Sequence, residues 1–407
     1  MHKTTNTPIT GPTRRELLTL LALGAPVLSL AQSPSAWSAI EAKARGQTVY
    51  FNAWAGSERI NAYLQWADAE LLSRHGVKLE HVKVTDTADV VKRVRGEKTA
   101  GRLQDGSVDA VWINGENFLT MKREGLLFGP FAEALPNFKY VDVLGKPTTR
   151  IDFSEPVEGM EAPWGMAQLT FFADRTRLPN PPRSMAALLE LARANPGRIS
   201  YPRPPDFTGT TFLKQALVEL NTDRAPLYRA QTPDAFAKLS APLWAWLDAL
   251  HPQLWRQGKQ FAANPGAIRQ MMADGELLLA MTFNPNEAAN EIAAKRLSAT
   301  VYSFQASGGA IGNTHFLAIP FNAKAREGAQ VMINFLLSPL AQARKADIRV
   351  WGDPTVLALA QLDAAQRVAF SSGQMPGQLD QSAPVIPEPH GSWVDPLERE
   401  WLRRYGS

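Results

Sequence analysis

The stretch from Thr48 to Gly125 switches repeatedly between two hydrophobic periods, and this narrows the fold more than any other feature of the chain. Thr48-Val49-Tyr50-Phe51-Asn52-Ala53-Trp54 is rich in β-branched and aromatic residues and reads as a strand. Gly56-Ser57 breaks it. Ser57 is a good helix N-cap, and Ile60, Leu64, Ala67 and Leu71 then recur on one helical face until Gly76. Val77 to Val84 mostly alternates, as a second strand does, and Val90, Val91 and Val94 sit in a helical stretch closed near Gly101. Val108 to Ile113 is a third strand, ending in Asn114-Gly115, and a short helix through Phe118, Leu119 and Lys122 stops near Gly125. A β-α-β-α-β-α order demands an α/β architecture, a mostly parallel sheet flanked by helices. Ligands of such sheets bind beyond the carboxyl ends of the strands. Those ends carry Trp54, Gly56 and Ser57 on one side, and Asn114, Glu116 and Asn117 on the other. Both are small and polar with backbone donors, as a small-molecule site requires.

The pattern repeats further on. Residues 140–163 form a longer loop with Pro147, Pro156 and Pro163, and Trp164-Gly165 opens a new apolar run. Helices are expected around Met185–Ala194 and from Thr210 to Leu220, with a short strand at Arg198–Tyr201 between them. Asn264-Pro265 starts another helix, an N-cap followed by proline in the first turn. Leu277 to Phe283 is a strongly apolar strand. Thr300–Phe304 and His315–Ile319 read as strands returning to the first lobe. The expected organisation is a first lobe over 32–164, a second lobe over 165–304, and a return segment with C-terminal helices over 305–407. Two α/β lobes joined by several crossings form a hinge that closes on a ligand in the cleft between them.

Composition excludes several classes. The chain has 407 residues with 45% hydrophobic and 20% charged, enough apolar material for two cores. The formal charge is +4, and without residues 1–31 it falls to about +2, since Lys3, Arg14, Arg15 and Glu16 go with them. That is too small for an electrostatic nucleic-acid binder, and no basic stripe with interleaved aromatics occurs. There are no cysteines, so disulfides, thiolate metal sites and a cysteine nucleophile are excluded. Residues 1–31 read as a cleaved leader. Arg14-Arg15 precedes an apolar run from Leu17 to Leu30, and small residues at Ser29-Leu30-Ala31 offer a cleavage site. The paired arginines look like a twin-arginine signal, which carries prefolded cargo out of the cytoplasm.

Several segments together resemble the YnjB-type extracellular solute-binding proteins. They are Tyr50 to Ser57, Trp112 to Asn117, Ala162 to Gln168, Tyr201 to Gly209 and Met281 to Glu287. The resemblance covers most of the chain after residue 31. It implies a type II periplasmic-binding fold, a small-molecule ligand, and as partners an ABC permease in the membrane with its cytoplasmic ATPase. The protein is then expected in the periplasm, as a monomer.

Tyr201 precedes a proline-stiffened loop, and Asp206-Phe207-Thr208-Gly209-Thr210-Thr211 opens a helix whose free N–H groups and hydroxyls suit a ligand's oxygens. The competing reading is that Asp206 or Thr208 only caps that helix. Asn284 and Asn286 stand equally between ligand contact and turn formation. Among the 11 tryptophans, Trp244 and Trp246 lie among leucines and read as core, whereas Trp54 and Trp164 divide evenly between ligand and core. The six histidines are scattered without metal spacing, so neither a metal nor another cofactor is expected. No nucleophile elbow, phosphate loop or zinc-protease motif occurs. The rival class is an exported hydrolase acting in the cell envelope.

Overall fold

The structure, a computed structural model, describes residues 34–406 apart from 372 and 374. The leader expected in residues 1–31 lies outside the described residues.

The first three strands fall close to expectation: β1 (Thr48–Trp54), β2 (Lys78–Val84) and β3 (Ala110–Ile113). β1 pairs in parallel with both β2 and β3. A small hairpin of β4 (Ile151–Asp152) and β5 (Glu155–Pro156) precedes β6 (Glu161–Gln168). Then come β7 (Thr170–Asp174), β8 (Leu279–Thr282), β9 (Val301–Phe304), β10 (Ala310–Ala318) and β11 (Val385–Ile386). The first sheet has the order β2-β1-β3-β10-β6, with β11 on the amino-terminal end of β10. β10 runs antiparallel to both β3 and β6. Side-chain alternation splits the packing between two faces. Ala110 joins Val49, Phe51, Leu64 and Ile333 on one, while Val111 and Ile113 join Val90, Phe118 and Met121 on the other.

The second lobe keeps the α/β class but differs in its ladder: β7 lies between β8 and β9 and is antiparallel to both. The strand expected at Arg198–Tyr201 does not form. Only an isolated parallel bridge joins Pro202 to Ala262, because Pro202, Pro204 and Pro205 offer no N–H to a ladder.

One expected crossing and one expected returning strand differ. The proline-rich loop pointed to a crossing at Trp164, but β6 stays in the first sheet to Gln168 and β7 starts at Thr170. The apolar run at Trp164 is thus a strand shared with the first core, not the start of the second. Val301–Phe304 likewise belongs to the second lobe, and β10 is the strand that returns. Gln168 Nε2 donates to Ala310 O, and Gln305 Nε2 donates to Thr170 Oγ1 at 3.0 Å, tying the two crossings side by side. The C-terminal segment does not stay with the first lobe. Val394, Leu397 and Trp401 form an apolar stripe on the last helix, Val394–Tyr405, and Leu397 and Trp401 pack in the second core with Phe212, Leu213 and Tyr201.

Candidate functional site

Three parallel strands end side by side at Trp54, Val84 and Ile113, and each feeds a helix. Asp86 caps the middle helix by accepting from Ala88 N at 2.8 Å. Ser57 and Asn114 hold the N-cap positions of the other two helices, yet neither side chain caps its helix. Both remain available to something else, at helix ends whose dipoles favour oxygen ligands. Trp54 is 41% exposed and its indole lies over Gly56, where a Cβ would come within 2.2 Å of the ring. Gly56 is therefore the residue that lets this ring lie flat across the strand end.

On the second lobe the helix Phe207–Leu220 opens beside this edge. Asp206 accepts from Thr208 N and Gly209 N at 2.9 and 3.1 Å, so its carboxylate is engaged as a cap. Thr211 Oγ1 donates back to Phe207 O, Thr210 Oγ1 donates to Glu398, and Thr208 is buried. Gly209 sits where a Cβ would meet Pro202 O at 2.2 Å, a packing role. The residue of this motif that faces out is Phe207, 39% exposed. Sequence reading named the motif but passed over this ring.

Two expected site residues are core. Trp164 is 1% exposed and sits against Trp112, Trp351 and Phe51 at ring separations of 5.1, 5.3 and 6.0 Å. Tyr201 is fully buried, with its hydroxyl 2.7 Å from both His251 Nε2 and Trp401 Nε1. Each lies on a segment enclosed by aromatic rings of its own lobe, which leaves no face for a ligand.

Asn284 and Asn286 join the lobes. Asn284 Nδ2 donates to Trp351 O and Asn286 Nδ2 to Gly352 O at 2.6 Å. Asn290 Nδ2 donates to Ile348 O and Trp351 O at 2.9 and 2.6 Å, and Arg59 of the first lobe donates to Asn290 O at 2.7 Å. The gripped loop is anchored by Asp353, which accepts from Lys345 and from His315 on β10. Burial opposes charge on Asp353, but His315 and Lys345 hold its carboxyl below the ordinary value. This His–Asp pair is buried and its next neighbour is a lysine, so it offers no hydrolytic nucleophile.

At the other edge, charge gathers where both lobes and the C-terminal segment meet. Lys214 of helix Phe207–Leu220 is 1% exposed and pairs with buried Glu388 at 2.7 Å. Its ammonium stands 4.2 Å from the Phe153 ring of the first lobe and 5.5 Å from Phe207. Glu388 also accepts from Asn313 on β10 at 3.0 Å. Asp152 accepts from Gly115 N, in the helix that carries Glu116. Asn117 Nδ2 donates to Glu116 at 3.0 Å. Burial pushes the Glu116 carboxyl up to about 7, against the pull of Lys214, and Glu398 is likewise raised by burial to about 7. Lys214, Asp152, Glu388 and Glu398 carried no local sequence signal except Lys214, an isolated charge inside the apolar run Thr211 to Val218.

Among the described residues, no group of three or more His, Asp or Glu is arranged to hold a metal ion, and no helix is long and apolar enough to cross a membrane. An open cavity of about 370 Å³ lies on the second lobe among Arg177, Arg198 and Arg296, away from the strand ends.

Two α/β lobes, crossed by paired strands and meeting at strand and helix ends, are the build of a solute-binding protein. The chain belongs to that class: residues 65–369 match the family described as bacterial extracellular solute-binding protein. It is 50% identical to Protein YnjB of Escherichia coli strain K12 over 391 residues, 96% of this chain and 98% of that protein. Solved structures show the same fold at low identity. The periplasmic binding protein AfuA of Actinobacillus pleuropneumoniae, with fructose-6-phosphate bound, has a TM-score of 0.60 and 14% identity over 88% of this chain and 99% of its own. The spermidine/putrescine ABC transporter substrate-binding protein PotD of Streptococcus pneumoniae also has a TM-score of 0.60 and 14% identity, over 88% and 98% of the two chains.

Proposed function

We propose that this protein is the exported solute-binding component of an ABC import system. It captures a small molecule between its lobes and presents the closed form to a membrane permease driven by a cytoplasmic ATPase. The observation that carries this reading is the pair of helix starts at Ser57 and Asn114. They lie on neighbouring parallel strands, their N-cap side chains are uncommitted, and they stand at the edge where the second lobe approaches. Trp54, Ser57, Asn114, Glu116 and Asn117 then contact the solute from the first lobe, and Phe207 from the second. The remaining expected contacts divide by role: Asp206, Gly209 and Thr211 shape the helix start, and Asn284 and Asn286 fasten the lobes.

The protein works as a periplasmic monomer without a metal or catalytic step, its boundary between lobes falling at residues 168–170 and again at 305–309. Arg14 and Arg15 direct export by the twin-arginine route, with cleavage near Ala31. Replacing both arginines by lysine leaves precursor in the cytoplasm; normal export of that variant contradicts the route.

A thermal-shift screen of the mature protein against a metabolite set, followed by calorimetry on each hit, tests the function. Saturable binding with the solute recovered unchanged is the expected result. Conversion of the solute to product supports the hydrolase class instead.

A further inference from the structure

The sheet of the second lobe has a far end, away from both crossings. β7 leaves the crossing at Thr170 and ends at Asp174, and Val301 of β9 lies opposite that end. The open cavity of about 370 Å³ sits there, beside the close of the helix Pro265–Ala273. Every residue lining it belongs to the second lobe. Part of its lining is apolar, since Met272, Leu297 and Val301 belong to the core beneath it.

Two half-buried arginines converge on its wall. Arg177 Nη2 and Arg198 Nη2 each donate to Gly275 O at 2.7 Å, and Arg177 Nη1 reaches Met272 O at 3.4 Å. Two positive charges thus share one carbonyl oxygen, although like charges so close repel. Neither guanidinium forms an ion pair among the described residues. The carboxylates at the rim are engaged elsewhere. Asp174 accepts from Thr176 N and Oγ1 at 2.9 and 2.8 Å, and Asp274 accepts from Gln270 at 3.0 Å. The third arginine of the wall, Arg296, is held by Glu291.

Closing the helix explains part of this arrangement, because cations suit a helix's last carbonyls. One arginine is enough for that. A guanidinium carries five N–H donors, so these two side chains keep most of theirs for another acceptor. Gly275 has a φ of 81°, and a Cβ there would stand 3.4 Å from Arg177 Nη1. The glycine lets the guanidinium lie close against the chain. A carboxylate has two oxygens and is saturated by a single guanidinium fork. Two forks at one point match a group with oxygens on several sides, which is a phosphate. The cavity is of small-molecule size, and its apolar lining suits the organic part of a phosphate ester.

We propose that this cavity binds the phosphate group of a small molecule, held jointly by Arg177 and Arg198, at a site separate from the cleft between the lobes. Because its lining lies on one lobe, occupation does not depend on closure.

The test is calorimetry of the mature protein at pH 8 and constant ionic strength, with inorganic phosphate and glycerol 3-phosphate, and with acetate and glycerol as controls. At least one phosphate compound binds saturably and more tightly than either control. Binding of both places recognition in the phosphate group itself, and binding of glycerol 3-phosphate alone assigns the ester as its source. Arg177→Gln combined with Arg198→Gln weakens that binding at least about tenfold. Should the double variant fail to fold, Arg198→Lys, which keeps the charge and loses the fork, must show a severalfold loss. Failure of both phosphate compounds, equal binding of acetate, or unchanged affinity in the folded variants overturns the proposal. Each of those results leaves the solute-binding reading of the cleft standing.

Discussion

The lobes meet at two edges built from different chemistry. At one, Asn284, Asn286 and Asn290 donate to main-chain carbonyls of residues 348–352, and Arg59 reaches back to Asn290 O. Apart from Arg59, these donors are neutral amides and their acceptors do not titrate. At the other, Lys214 stands among Glu116, Asp152, Glu388 and Glu398, with Glu116 and Glu398 raised by burial to about 7. The amide-to-carbonyl bonds of the first edge do not themselves titrate. The second gathers carboxyls about one buried ammonium, and its energy depends on how many of them are ionised.

The largest expected effect comes from Lys214→Met. Removing one partner of a buried ion pair costs about 3–5 kcal/mol, because Glu388 is left buried without the ammonium it pairs with. Urea unfolding at pH 8 shows that loss, and it shrinks at pH 5 as the raised carboxyls take up protons. A loss independent of pH breaks the contrast between the edges. Asn290→Ala is expected to cost less, about 1–3 kcal/mol for leaving Ile348 O and Trp351 O without their donor. That loss is the same at pH 5 and pH 8.

The third effect concerns pH alone. Glu116 and Glu398 have folded values above their unfolded ones, so the stability they contribute is complete below about pH 4.5 and disappears as pH rises through 7. Glu116→Gln with Glu398→Gln therefore gains on the wild type between pH 5 and pH 8, by about 1 kcal/mol after allowance for solvent screening. Melting curves of the two proteins across that range check the sign. The smallest effect on stability is that of Trp54→Ala, about 1 kcal/mol or less, since the residue is 41% exposed. Its consequence is expected in solute affinity, read by titration.

Much of the fold was legible because local rules and the tertiary structure agree. The strand Thr48–Trp54 was read to the residue, Gly76 ends its helix in a left-handed turn, and Asn264 caps the helix that Pro265 opens. Burial was not legible at Trp164 and Tyr201, where the same aromatic types serve a core or a ligand and only the surrounding rings decide. Asp206 followed its local rule and caps. The charged edge could not be read at all as a unit: Glu116, Asp152, Lys214 and the C-terminal pair Glu388 and Glu398 come from four distant stretches and meet only through the fold. The same holds for the last helix, expected as a helix but on the first lobe rather than the second core it covers.

The central claim is capture of a solute by closure of two lobes, and small-angle X-ray scattering tests it most directly. The mature protein is measured free and at saturating concentration of a solute that calorimetry has shown to bind. Closure predicts a smaller radius of gyration and a narrower distance distribution in the bound state, with no change in mass. Superimposable profiles at full saturation contradict it.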